Sequence, residues 1–292
     1  MDDLTRRIID IREDREHGSR WLVRSTIQLL RDLAMENSVA PAARRARISQ
    51  AGHELAHARP AMAALAGAIG RILAAPGGTE GMARVAEQLL QAYDMAPEQI
   101  ATFARPYLQG TLLLHSLSGT VLAVVNACLP AIEQIIILEG RPLYEGRTVA
   151  QRLSGQAPRL TLITDAQADI FLPMCQALVV GADSILADGS ILNKAGTALL
   201  AWAARGHGVP LYVLSETLKI SPQSWSGDLA LLEEHASSEV WEQPATNLAV
   251  RNFYFDYTPA HLVTRIITEQ GPLSLREIQR QADQLRKVSE IV

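Results

Sequence analysis

The stretch 178–214, reading LVVGADSILADGSILNKAGTALLAWAARGHGVPLYVL, limits the folds open to this chain more than any other. An apolar run, Leu178-Val179-Val180, ends in Gly181-Ala182-Asp183. A loop with Asp188-Gly189 leads to Asn193-Lys194 and the small residues Ala195-Gly196-Thr197. An Ala/Leu-rich segment of helical character follows, then a break at Gly206, Gly208 and Pro210, then a second apolar run. The order is strand, loop, helix, strand. Its polar residues fall just past the carboxyl end of a strand, where a βα unit places ligand-binding groups.

Such a unit needs a sheet around it. From Gly110 onward, short β-rich runs at 111–115, 134–138, 159–164, 178–181 and 210–214 alternate with helical stretches. That alternation predicts an α/β fold, a parallel sheet with helices on both faces. Residues 216–250 read as a polar loop with a short helix, and 237–243 as one late strand. The first 105 residues read as helices. Leu4, Ile8 and Ile11 share one face, as do Leu22, Thr26, Leu29, Leu30 and Leu33. His17-Gly18-Ser19 separates these helices, with Ser19 as the expected N-cap. Pro41 and Pro60 suit the first turns of two more. Met82, Val85, Leu89 and Leu90 mark a fifth, expected to end before Pro97.

Composition excludes several classes. Net charge is -4 and no Lys/Arg block stands out, so direct nucleic-acid binding is not the expectation. No apolar run approaches the roughly 20 residues of a membrane helix. The start is charged and lacks a signal-peptide core. Two cysteines, Cys128 and Cys175, make no disulfide framework, which points to a reducing compartment. A soluble, cytoplasmic protein is expected. His53, His57, His207, His235 and His261 show no Cys/Asp ligand spacing, so no metal site is implied; no cofactor is expected.

Several blocks together resemble a known family. They are Asp14-Arg15-Glu16-His17-Gly18-Ser19, Ala58-Arg59-Pro60, Leu138-Glu139-Gly140-Arg141-Pro142 with Glu145-Gly146, and Leu162-Ile163-Thr164-Asp165. Gly181-Ala182-Asp183 and Asn193-Lys194-Ala195-Gly196-Thr197 follow, then 252–259 and 267–271. Their order and spacing resemble the family that unites the alpha, beta and delta subunits of initiation factor 2B with two sugar-phosphate isomerases. Those isomerases act on methylthioribose-1-phosphate and ribose-1,5-bisphosphate. The resemblance implies a helical domain, 1–105, followed by a Rossmann-like ligand-binding domain, 106–292. It also implies a homodimer through the second domain, with related subunits as further possible partners.

The resemblance assigns roles residue by residue. Asp183 matches the isomerases' catalytic acid/base. A carboxyl in a partly dry pocket suits proton transfer beside a carbonyl, while the plainer alternative is a turn cap. Asn193 and Lys194 match the phosphate-contacting pair, near a helix start that favours an anion. Arg141, past another strand, holds either a ligand or a scaffold carboxylate at Glu139 or Asp165. Gly140 replaces the usual Ser of its block. Asp256 is expected to orient the rim or hold the last segment down.

Two positions depart from the isomerase pattern. Ser116 stands where the isomerases carry a catalytic Cys, and a hydroxyl needs an activating partner to replace a thiol. His115 is adjacent, but neighbours on a strand point to opposite faces unless the chain bends. Ser118 and Gly119 offer donors to a phosphate, or Ser118 caps the next helix. His17 stands where the isomerases have Arg; Arg20 and Arg24 lie nearby, but an offset of one residue on a helix already turns a side chain by about 100°. Cys175 and Cys128 read as buried core residues, and Asp188 as a turn residue. The expected function is binding of a phosphorylated sugar or nucleotide, in a regulatory or assembly role without the isomerase cysteine. The alternatives are an aldose–ketose isomerase on a phosphorylated pentose, or an exchange-factor scaffold.

Overall fold

The structure, a computed structural model, describes residues 3–14 and 17–289. Arg15 and Glu16 of the first motif therefore lie outside the described residues. Five helices open the chain: α1 (Asp3–Glu13), α2 (Ser19–Met35), α3 (Pro41–Ala56), α4 (Ala63–Leu73) and α5 (Gly78–Ala104). Leu22, Thr26, Leu29, Leu30 and Leu33 of α2 are buried together, as their spacing predicts. The four leucines pack in one cluster with Ile8 and Ile11 of α1, Ile48 of α3, Ile69 of α4 and Met82 of α5. Each buried large side chain contributes about 1.5–3 kcal/mol.

Three expectations here need correction. Pro41 does open α3, but Pro60 lies in a turn and α4 begins only at Ala63. Gly18, not Ser19, is the N-cap of α2, and Ser19 is the first helical residue. The fifth helix does not stop before Pro97 but runs through it to Ala104. A helical proline leaves the carbonyl four residues earlier without its N–H donor. That carbonyl belongs to Tyr93, and it accepts a hydrogen bond from Arg20 Nη2 of α2. The break is satisfied from outside the helix, so the helix continues.

The rest of the chain is a layered α/β structure. Its elements are β1 (Gly110–Leu114), α6 (Gly119–Cys128), β2 (Ile132–Leu138), α7 (Glu145–Leu153), β3 (Leu160–Ile163), α8 (Ala168–Phe171) and β4 (Ala177–Val180). Then come β5 (Ser184–Ile185), β6 (Ile191–Lys194), α9 (Thr197–Gly206), β7 (Leu211–Leu214), β8 (Phe255–Thr258), β9 (Arg265–Thr268), β10 (Gly271–Leu273) and α10 (Leu275–Ser289). Among the described residues a seven-stranded sheet has the order β10-β9-β7-β4-β1-β2-β3. All its pairings are parallel except β9 with the edge strand β10. The five expected strands correspond to β1, β2, β3, β4 and β7. Every residue of β4 is buried, as a central strand covered on both faces requires. Two apolar clusters, one around Leu178 and Val180 and one around Val179 and Leu112, cover those faces.

A second, three-stranded sheet, β5-β6-β8, was not expected. The late strand expected at 237–243 does not form. Ser237–Glu239 is a single 3-10 turn, and the segment pairs with no strand.

The strand order places the site. The chain steps outward from β1 to β2 to β3, then returns to lay β4 on the other side of β1. Leu114 of β1 pairs with Ile137 of β2 and with Val179 of β4. Connections leaving the carboxyl ends of β1 and β4 diverge there and open a crevice.

Candidate functional site

Three adjacent strands each deliver one polar side chain to that crevice: Ser116 after β1, Glu145 after β2 and Asp183 after β4. Lys194 enters from the end of β6. The helical layer closes the opposite wall with Asp14, His17, Ser19 and Arg59, and the loop before β8 adds Glu233 and Tyr254. These groups line a cavity of about 100 Å³. A larger groove of about 330 Å³ beside α4 and α10 shares Arg59 but is lined by none of Ser116, Asp183 and Lys194.

Local sequence explains each placement. Ser116 has φ 70°, so the chain does bend immediately after β1. The bend aims Ser116 at Glu145, with Oγ donating to Oε2 at 2.9 Å. His115 turns away, and its Nε2 meets the Ala195 carbonyl at 3.1 Å. Burial pushes the His115 imidazole below its usual value. A Ser116–His115 pair is therefore not formed. Glu145 opens α7, whose first turn packs tightly on the end of β2. A side chain at Gly146 would stand 1.8 Å from the Leu138 carbonyl oxygen, so only glycine fits. Glu145 also accepts from Leu117 N–H at 3.4 Å and from Lys194 Nζ at 3.0 Å. Lys194 is 4% exposed, and its ammonium sits 4.3 Å from the Tyr254 ring centre.

Behind Asp183 lies a buried charge network. Lys219 Nζ donates to the Ala182 carbonyl at 2.7 Å and to Ser19 Oγ at 3.4 Å. It stands 3.7 Å from Glu216, which also takes Arg20 Nη1 at 2.8 Å and the Thr120 hydroxyl at 2.5 Å. Burial pushes Glu216 up, but Lys219, Thr120 and Arg20 together hold it below the usual glutamate range. Asp183 goes the other way. Burial lifts its carboxyl above the usual range, against the pull of Lys219 and a hydrogen bond with Ser19. Glu233 is likewise raised by burial, although Ala61 N–H and Arg59 oppose the rise. Burial thus makes Asp183 and Glu233 harder to ionise than ordinary carboxyls, while Glu216 behind them is easier to ionise.

Not every residue singled out from sequence meets here. Asp183, Ser116 and Lys194 converge on the cavity. Asn193 lies beside Lys194 on β6, but its Nδ2 donates to Thr197 Oγ1 at 2.9 Å and it is not on the cavity wall. Ser118 caps α6, accepting from Val121 N–H at 3.3 Å, and Gly119 begins that helix. Arg141 reaches the Tyr144 hydroxyl at 2.6 Å and the Val240 carbonyl at 3.1 Å. Its backbone N–H, not its guanidinium, meets Asp165. Arg20 is engaged with Glu216, and Arg24 with Asp94 at 3.1 Å. Cys175 is buried, donates to the Phe171 carbonyl, and is pushed up to about 11 by burial.

The start of α9 is occupied by the protein itself. Gly196, at φ 107°, turns the chain into the helix, and Asp256 of β8 accepts from its N–H at 2.7 Å and from Ala198 N–H at 3.0 Å. An anion expected at that helix start is thus a side chain of this protein.

Arg59 and Glu145 drew notice in the sequence only as members of motifs, and Glu216, Lys219 and Glu233 drew none. Glu216 and Lys219 directly follow the apolar run of β7, the same signal that singled out Asp183. Glu233 carries no comparable signal. It reaches the site from a loop, at φ 49°.

Among the described residues no group of three or more His, Cys, Asp or Glu could hold a metal ion, and no helix is long and apolar enough to cross a membrane.

In sequence and in fold the chain is similar to known proteins. The sequence model of the initiation factor 2 subunit family matches residues 15–274. A protein of Pyrococcus horikoshii named as translation initiation factor eIF-2B subunit 2-like is 30% identical over 268 residues, covering 90% of this chain and 93% of that one. The ribose 1,5-bisphosphate isomerase of Haloferax volcanii is 31% identical over 269 residues, covering 87% and 83%. The crystal structure of the Pyrococcus horikoshii translation initiation factor eIF-2B superposes with a TM-score of 0.82 at 28% identity, over 94% of this chain and 97% of that one.

Proposed function

This chain belongs to the initiation factor 2 subunit family, and from that premise we propose that its cleft binds a phosphorylated sugar or nucleotide. The observation that carries the reading is the convergence of Ser116, Glu145, Asp183, Lys194 and Arg59, from five separate segments, on one partly enclosed cavity. Relatives of similar identity bear both kinds of name, an initiation-factor subunit and a ribose 1,5-bisphosphate isomerase. The regulatory or assembly role is favoured by Ser116, which brings a hydroxyl to the position of the isomerase thiol.

A second reading, aldose–ketose isomerisation of a phosphorylated pentose, is favoured by one observation. Burial raises the affinity of Asp183 for its proton, and Asp183 shares the cavity with Ser116 and Lys194, as a group that moves a proton beside a bound carbonyl would. We also propose that the chain pairs with a second copy through its sheet-bearing half, as the family resemblance implies.

A thermal-shift screen with ribose-5-phosphate, ribose 1,5-bisphosphate, methylthioribose-1-phosphate and nucleoside monophosphates tests the binding reading. A ligand at a hundred times its dissociation constant stabilises by about 2.7 kcal/mol. At about 2–4 °C per kcal/mol, Tm rises by several degrees. Lys194→Ala is expected to remove the rise. No shift with any compound, or the same shift in Lys194→Ala, refutes the proposal. NMR of any ligand found then separates the readings, because conversion of aldose to ketose by the unaltered protein selects the isomerase.

A further inference from the structure

Resting on the reading of the cleft as a sugar-phosphate site, a further conclusion follows from how its charges are matched. Each cation at the cleft already has protein oxygens as partners. Lys194 Nζ lies 3.0 Å from Glu145 Oε1. Arg59 donates to the Asp14 carbonyl at 2.7 Å and stands 3.6 Å from Glu233. Lys219, behind Asp183, is held by the Ala182 carbonyl and Glu216. On the cavity wall the acids Asp14, Glu145, Asp183 and Glu233 outnumber Arg59 and Lys194 four to two.

Glu145 is the pivot of this balance. Its carboxylate holds three donors at once: the Ser116 hydroxyl, the Leu117 N–H and the Lys194 ammonium. If it swung away, Lys194 would keep the face of the Tyr254 ring, a poor substitute for a carboxylate around a buried charge. A phosphate arriving at Lys194 must therefore replace one anion with another, and it gains only the difference between them. A sugar hydroxyl faces no such exchange. It can donate to Glu145, Asp183 or Glu233 while every existing ion pair stays in place. A second phosphate on the same ligand would also stand at short range from the Glu145 carboxylate, where charges are poorly screened.

We propose that Glu145 sets the charge class of the ligand: the cleft accepts a sugar carrying one phosphate or none, with its hydroxyls against the carboxylates, and rejects a sugar bisphosphate. Glu145 is then a specificity-determining residue. Its side chain does in advance what a second ligand phosphate would otherwise do.

Isothermal titration of the full chain with ribose, ribose-5-phosphate and ribose 1,5-bisphosphate tests this. Unaltered protein is expected to bind ribose-5-phosphate at least tenfold more tightly than the bisphosphate. Glu145→Gln keeps an acceptor for Ser116 and Leu117 but removes the negative charge. It is expected to tighten bisphosphate binding at least tenfold and to make that binding weaken more steeply with added salt. Tighter binding of the bisphosphate by unaltered protein, or an unchanged bisphosphate affinity in Glu145→Gln, overturns the proposal. Binding of none of the three sugars by either protein refutes the sugar-phosphate reading itself, and this inference with it. If Glu145→Gln does not fold, the ratio of the two affinities in unaltered protein decides the matter alone.

Discussion

Asp256 illustrates how a single residue couples the stability of the fold to pH. Burial raises its carboxyl to about 6, although backbone N–H groups of Gly196 and Ala198 oppose the rise. The folded chain therefore holds this proton more tightly than the unfolded chain does. The stabilisation is full at low pH and is lost as pH rises through about 6. Asp256→Asn keeps an oxygen for both N–H groups and cannot ionise. The Tm of Asp256→Asn minus that of unaltered protein is expected to grow between pH 4 and pH 7. A difference that stays flat, or shrinks, across that range would show that Asp256 ionises freely. At this scale sequence reading divided unevenly. Asp183, Ser116 and Lys194 were legible because each ends an apolar run or stands in a distinctive motif. Asn193, Ser118 and Arg141 were legible as polar residues near a site, but their partners were not. Thr197, Val121 N–H and Tyr144 were close enough to claim them first.

Elements show the same limit through α5. Proline in a helix costs a hydrogen bond and normally ends the element, so local sequence alone predicts a stop before Pro97. The missing donor comes instead from Arg20, 73 residues away in the chain, which also stacks 4.5 Å from the Tyr93 ring centre and pairs with Glu216. Arg20→Met is expected to strand the Tyr93 carbonyl and weaken the Glu216 network. The cost is about 3 kcal/mol, read by urea denaturation. A loss within 0.5 kcal/mol, the range of an ordinary surface change, would mean that Arg20 does not carry α5 through the proline. The small sheet was hidden for a related reason. Ile191–Lys194 is short, and its partner Phe255–Thr258 lies some sixty residues downstream. No local periodicity announces such a pairing. The segment 237–243 fails the other way, having strand-like residues and no partner edge.

The whole molecule presents an apolar face that its own core does not cover. Ile170 of α8, Met174 after it, and Leu199 and Trp202 of α9 are all at least half exposed, and α8 and α9 are in contact. Trp202 is held edge-on against His261 at 5.4 Å. If the proposed homodimer uses this face, light scattering is expected to give twice the chain mass of 31.8 kDa for unaltered protein and the single-chain mass for Trp202→Glu. A single-chain mass for both, at micromolar concentration, counts against pairing. An unchanged dimer in Trp202→Glu moves the interface elsewhere.

The sequence by itself determined the α/β class, the helical first part, the five central strands and the family, and it singled out Asp183, Ser116 and Lys194, which the fold brings to one cavity. These follow from periodicity and from motifs, which are properties of neighbouring residues. Only the tertiary structure decided which of the cleft's charges are already matched. Glu145 reaches Lys194 across 49 residues, and Arg59 lies beside Glu233 across 174. Charge pairing depends on distance in space and on burial, and the strand order around β1 and β4 sets both. A motif can place a lysine near a ligand, but the fold determines whether that lysine already has a partner.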